Sequence, residues 1–210
     1  MIIRARHNCI LYPFFTWYSK RMIGRHFHSV HFMSDSIDVS SSSVLVLANH
    51  ISWWDGFWIQ YLNTHMFHKK MFFMMMYAQL QRFWFFKYTG GFSVQKGKKS
   101  LLETLSYASS ILQNRDNMLL LFPQGYIQSM HTNFFEFNRG VEKIISQQCP
   151  DSCKIVFVAN FIDYLSVAKP SVYIYTSIYT DTDFSYTSIE KAYTDFYNQS
   201  LRTQQNLKDV

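Results

Sequence analysis

The polypeptide has 210 residues, and its 20 Phe, 14 Tyr and 5 Trp make it 19% aromatic. A hydrophobic share of 48% excludes a disordered, low-complexity or collagen-like chain, and the length suits one domain with a sizeable core. Charged residues are only 16%, below the usual share of about 25%, and the net charge of +6 favours an anionic partner: a phospholipid surface, a phosphorylated cofactor or nucleic acid.

Residues 1–35 are expected to form an N-terminal amphipathic segment that associates with a membrane. Within it, residues 8–28 place Ile10, Phe14, Trp17, Tyr18 and Met22 at helical spacing, with Lys20, Arg21 and Arg25 alongside. Such a stripe serves either as an interfacial anchor on an anionic membrane or as a helix capping the core with a solvated basic edge. A cleaved signal peptide is not expected, because basic residues follow the short apolar stretch at once and no small-x-small site appears.

After the serines at 40–43, Val44 to Ala48 is apolar on both faces and reads as a buried strand. Trp53 to Leu62 reads as a helix. Met71 to Tyr77 fits a buried strand or a short core helix, since periodicity alone does not decide. Thr89-Gly90-Gly91 reads as a turn. Ser100-Leu101-Leu102-Glu103 has the capping-box pattern and opens a helix to about Leu112. Met118 to Phe122 is a third buried strand, stopped by Pro123 and Gly125. Gly140 to Gln147 is a short helix, Ile155 to Ile162 and Ser171 to Tyr179 are strands, and Ile189 to Leu201 is a closing helix. Strands alternating with helices predict a single α/β domain: a mixed, largely parallel central sheet with helices on both faces, plus the N-terminal amphipathic segment. The main domain is expected over 36–185, with 186–210 as its C-terminal helix.

Three features argue against other chemistries. Cys149 and Cys153 bracket Pro150-Asp151-Ser152, a poor ligand spacing with no second pair. With Cys9 they are expected as free thiols in a reducing cytosolic compartment. His26, His28 and His31 cluster in sequence but lack partners for zinc, so no metal is expected. The uncharged run from Asn117 to Phe135 contains Pro123, Gly125 and several glutamines, and a spanning helix needs about 20 mainly apolar residues.

Chemistry is expected where buried strands end. His50 and Asp55 flank the turn from the first buried strand into its helix, and such carboxyl-end loops are where open α/β sheets place their sites. A carboxylate there holds one ring nitrogen as a donor and leaves the other to take a proton, which is general-base geometry for a hydroxyl nucleophile. The competing reading of this pair alone is a hydrogen-bonded structural histidine. Three further segments follow in order: Gly91-Phe92-Ser93-Val94-Gln95-Lys96, Phe122-Pro123-Gln124-Gly125, and Phe137-Asn138-Arg139-Gly140.

In this order and spacing the chain resembles the glycerol-phosphate and lysophosphatidic acid acyltransferases, the PlsC-like enzymes. The histidine-x4-aspartate block is intact at His50 and Asp55. The glycine-x4-arginine block has Lys96 for arginine, the phenylalanine-proline-glutamate-glycine block has Gln124 for glutamate, and the late valine-proline-valine block reads Val156-Phe157-Val158. The likeness spans roughly Val44 to Tyr164.

The resemblance implies that His50 deprotonates an acceptor hydroxyl and that Asp55 orients it. Gly91, Lys96, Pro123, Gln124, Gly125 and Arg139 would line the substrate site, with Lys96 and Arg139 facing phosphate. Backbone N–H groups near Gly125 are candidate oxyanion donors. The donor would be an acyl-CoA or acyl carrier protein thioester, a co-substrate rather than a bound cofactor. The acceptor would be a lysophospholipid at the cytoplasmic face of a membrane. Lysine for arginine keeps charge but loses the planar fork, and Ile127 stands where family members carry a further arginine. Together with Gln124, which removes a negative charge from the acceptor side, these departures leave room for another lipid hydroxyl, such as a lyso-aminolipid or a glycosylated terpenoid. Trp53, Trp54 and Phe92 are acyl-tunnel candidates, with core packing as the alternative. A non-catalytic lipid-binding relative and a nucleic-acid binder are the competing classes. The second lacks any nucleic-acid-binding signature.

Overall fold

The computed structural model describes residues 2–34, 37–95, 97–146 and 153–208. Among these residues seven strands form one sheet: β1 (Val30–Phe32), β2 (Ser43–Ala48), β3 (Lys70–Met76), β4 (Gly91–Val94), β5 (Asn117–Leu121), β6 (Cys153–Asp163) and β7 (Ser171–Ile178). Their spatial order is β1-β7-β6-β2-β5-β3-β4. All neighbours are parallel except β6 and β7, which pair antiparallel. β2 lies between β5 and β6, so His50 leaves the sheet near its middle.

β2 is buried at every position because both of its faces are covered. Leu45 and Leu47 pack into one core with the helices α4 (Lys98–Ile111), α5 (Gly140–Ser146) and α6 (Tyr186–Gln205). Val44, Val46 and Ala48 face the other, beneath α1 (Leu11–His26) and α2 (Asp55–Leu62). The two-residue period of a strand thus separates two cores with a single apolar run.

Several local expectations need revision. α4 begins at Lys98, and Ser100 Oγ donates to the carbonyls of Gln95 and Gly97 instead of accepting as a capping box requires. Gly91 is not a turn residue but opens β4, where a side chain would meet the Phe86 carbonyl oxygen at 2.9 Å. Met71 to Tyr77 resolves as β3, paired on both edges, with Tyr77 starting the short helix α3 (Tyr77–Arg82). A 3₁₀ segment, Trp84–Thr89, follows it. α6 starts three residues before Ile189, capped by Ser185 Oγ accepting from Ser188 N–H. The N-terminal segment is bound into the sheet at both edges: β1 pairs with β7, and the Ile3 carbonyl accepts from Ser93 N–H at 2.9 Å. A boundary at residue 35 therefore divides strands of one sheet.

On α1 the core-facing residues are Ser19 and Ile23, while Ile10, just before it, and Phe14 and Trp17 within it are exposed. Of the stripe seen in the sequence, Ile10, Phe14 and Trp17 point outward, and Tyr18 and Met22 are half-buried. Among the described residues no helix is long and apolar enough to cross a membrane, and no group of three or more ligand side chains is placed to hold a metal ion. Cys9 and Cys153 are free thiols, and Cys149 lies outside the described residues.

Candidate active site

The turn after β2 is anchored before it becomes chemical. The buried Asn49 side chain accepts from Asn160 N–H at 2.8 Å and donates to the Asn160 carbonyl at 2.9 Å, which locks the end of β2 to β6. His50 comes next, and Asp55 is the first residue of α2, where a carboxylate complements the helix N-terminus. Asp55 Oδ2 accepts three hydrogen bonds: from Ile51 N–H at 2.8 Å, from Ser52 N–H at 3.0 Å, and from His50 Nδ1 at 2.6 Å. One oxygen therefore shapes the loop and holds the imidazole. Asp55 is fully buried, and its Oδ1 has no partner among the described residues. Burial raises its carboxyl above the usual range, against the opposing pull of His50 and the Ser52 and Ile51 amides. The His50 side chain keeps 24% of its surface exposed, so Nε2 faces the open side.

The neighbouring strand β5 supplies the other wall. Phe122 stacks on the His50 ring, with centroids 4.1 Å apart and planes within 11°. Gly125 has φ +78°, and a side chain there would press within 2.9 Å of Asn138 Nδ2. That nitrogen donates to the carbonyls of Pro123 at 2.9 Å and Gln124 at 3.1 Å. Gln124 Oε1 accepts from His50 N–H at 3.0 Å, and Gln128 N–H donates to the His50 carbonyl at 2.8 Å. Both backbone polar groups of His50 are thus held by the loop after β5. A basic imidazole, oriented by a buried carboxylate and partly open to solvent, can take a proton from a hydroxyl.

Residues 28–162 match the acyltransferase family model. The chain belongs to the acyltransferase family. Its fold is also that of a solved structure, the 1-acyl-sn-glycerophosphate (LPA) acyltransferase PlsC from Thermotoga maritima. The likeness has a TM-score of 0.65 at 14% identity and covers 94% of this chain and 81% of that one. No curated protein matches the sequence.

The residues expected at the acyltransferase site are not all gathered around His50. Gln124 is buried, with its side-chain oxygen on His50 N–H and its nitrogen on Gln128 at 2.5 Å, so both of its polar atoms are taken up by the protein. The Gly125 N–H is spent on the Phe122 carbonyl at 3.0 Å, which removes it as an oxyanion donor. The Arg139 guanidinium lies 5.3 Å over the Tyr186 ring. Gly91 sits at the start of β4, three strands from β2 or about 14 Å at ordinary strand spacing. Lys96 lies outside the described residues. Trp53 is exposed beside the His50 turn, and Trp54 packs on His26 and Phe27. Phe92 is a fully buried core residue set edge-on to Tyr107, because its place in β4 points it at α4. Gln128 and Asn138 have no expected role in the sequence, although Asn138 lies in the Phe137-Asn138-Arg139-Gly140 segment. Asn138 holds loop carbonyls, and Gln128 holds the His50 carbonyl, the Gln124 amide and the Tyr126 hydroxyl, contacts that leave no pattern in the chain.

Proposed function

We propose that this acyltransferase moves a fatty acyl group from acyl-CoA or acyl carrier protein to a lipid hydroxyl, with His50 as general base and Asp55 as its orienting partner. The 2.6 Å contact between His50 Nδ1 and the buried Asp55 carries the reading. It keeps a proton on Nδ1 and leaves Nε2 basic. The acceptor hydroxyl yields its proton to Nε2 as its oxygen attacks the thioester carbonyl carbon. The tetrahedral oxyanion collapses with cleavage of the carbon–sulfur bond, and the imidazolium returns its proton to the departing thiolate. No acyl-enzyme forms, so no serine or cysteine nucleophile is called for.

The first acceptor is a lysophospholipid of the 1-acyl-glycerol 3-phosphate type, the substrate named for the Thermotoga maritima enzyme. A second reading, transfer to another lipid hydroxyl such as that of a lyso-aminolipid or a glycosylated terpenoid, is favoured by exposed Ile127 beside the site and by Arg139 lying over the Tyr186 ring. Incubation with palmitoyl-CoA or palmitoyl-acyl carrier protein and 1-oleoyl-glycerol 3-phosphate should give a diacyl product by mass spectrometry. Product only from 1-oleoyl-glycerol would support the second reading. Lipid binding with no product from any acceptor would identify a non-catalytic relative.

The same reading puts the protein on the cytoplasmic face of a membrane. Its support is an exposed aromatic surface shared by α1 and the 3₁₀ segment, joined by Phe15 and Phe85 stacked at 5.3 Å. Phe14, Trp17 and Trp84 are exposed on it, and Arg21 and Arg82 lie over the Trp17 and Phe83 rings. Aromatic edges with cations beside them suit a headgroup boundary. Cosedimentation with phosphatidylglycerol vesicles should be lost in Phe14→Asp/Trp17→Asp, and unchanged binding would contradict this placement.

A further inference from the structure

The loop after β5 carries a line of hydrogen bonds whose direction is set by one backbone group. His50 N–H can only donate, so the Gln124 atom 3.0 Å from it is Oε1. Gln124 Nε2 then faces Gln128 at 2.5 Å, and the atom it meets must accept, so that atom is Gln128 Oε1. Gln128 Nε2 in turn donates to the Tyr126 hydroxyl oxygen at 3.1 Å. Each amide is oriented by the one before it. The hydroxyl at the end accepts, and its own proton points away from the line. Gln124 is buried, Gln128 half-buried and Tyr126 exposed, so the line runs from the interior to the surface. Gln128 also holds the His50 carbonyl through its backbone N–H, which ties the tyrosine to the histidine.

We propose that Tyr126 donates this proton to an oxygen of the bound substrate beside His50, and that Gln128 is the positioning residue that sets its polarity. The proposal rests on the reading of this site as the acyl-transfer centre. A phenol offers one hydrogen bond and no net charge, which fits an uncharged oxygen. Two substrate oxygens have that chemistry: the thioester carbonyl of the donor, and an ester or hydroxyl oxygen of the acceptor lipid. Ile127 next to it offers neither a donor nor a charge.

Tyr126→Phe removes the proton at an exposed position, with little packing at stake. Gln128→Glu keeps the shape and still accepts from Gln124, but its second oxygen also accepts from Tyr126 and draws the hydroxyl proton inward. Each variant should lose about three- to tenfold in kcat/KM, the worth of one neutral hydrogen bond. The double variant should be no worse than either, because both changes remove the same proton. Rates are read with palmitoyl-CoA and 1-oleoyl-glycerol 3-phosphate, with palmitoyl-CoA and 1-oleoyl-glycerol, and for palmitoyl-CoA hydrolysis without acceptor. Loss in hydrolysis as well as transfer assigns the contact to the thioester, and loss in transfer alone assigns it to the acceptor. Tyr126→Phe at wild-type efficiency in all three assays overturns the proposal, as does a double variant whose losses multiply. Gln128→Glu at wild-type efficiency beside an impaired Tyr126→Phe overturns the role of Gln128. His50→Ala separates the two levels: activity retained there sinks the reading of the site, whereas its loss with Tyr126→Phe unimpaired sinks only the tyrosine contact.

Discussion

The imidazole of His50 lies flat on the ring of Phe122, with centroids 4.1 Å apart and planes within 11°. Asp55 fixes the ring edge and Phe122 fixes its face, so β2, α2 and β5 together determine where Nε2 points. Phe122→Leu preserves an apolar side chain but removes the flat support. It should lower kcat by about tenfold or more, since small misplacements of a catalytic group are costly. The loss of stability should be modest, about 1–2 kcal/mol for a half-buried ring. Steady-state kinetics beside a denaturant melt separates the two effects.

Asp55→Asn tests the orienting role with almost no change of shape. The amide cannot hold the imidazolium, and kcat should fall by up to about 10⁴-fold. Stability should respond in a different direction. Burial raises the Asp55 carboxyl, so the folded chain keeps this proton at pH values where the unfolded chain has released it. The group's contribution to stability is therefore fullest at low pH and is lost as pH rises through the raised value. Denaturant midpoints for wild type and Asp55→Asn should move in the variant's favour across that rise.

Gly125 combines a φ of +78° with a crowded site, 2.9 Å from Asn138 Nδ2. Gly125→Ala should cost about 1–2 kcal/mol from the left-handed backbone alone. Displacing Asn138 would also loosen the Pro123 and Gln124 carbonyls, so activity should fall further than stability. A melt and a kcat measurement on the same sample check this order.

His7 gives the N-terminal segment a pH dependence of its own. Its Nε2 is 2.8 Å from the Met71 carbonyl, between the rings of Tyr12 and Phe72. Burial lowers its pKa from 6.5 to about 4, with the Met71 bond opposing and the charge of Lys70 adding to the fall. The stabilising contribution is full above the unfolded value of 6.5 and is lost as pH drops towards about 4. The melting temperature should decline over that window. His7→Gln, which keeps a donor for Met71, should flatten the decline.

How far the sequence could be read depended on whether a feature was local. The strands β2, β5 and β6 were legible because an apolar run between turn residues has few other uses. β1 and β4 have three and four residues and exist through pairing with β7 and β3, so no local period announces them. On α1 the spacing showed a stripe but not its direction, and Ser19 and Ile23 face the core while Phe14 and Trp17 do not. His50 and Asp55 could be paired because one turn joins them. Gln128 could not be placed, since its role depends on the carbonyl of His50, 78 residues earlier. For Arg139 the position in the chain gave no hint that its guanidinium would rest on Tyr186.

The central claim is that His50 takes the proton of the acceptor hydroxyl. The most direct measurement is the rate of CoA release from palmitoyl-CoA in the presence of 1-oleoyl-glycerol 3-phosphate, for wild type and His50→Ala of equal melting temperature. Loss of the base should lower the rate by about 10²–10⁴-fold with lipid binding retained. An unchanged rate in His50→Ala would contradict the mechanism.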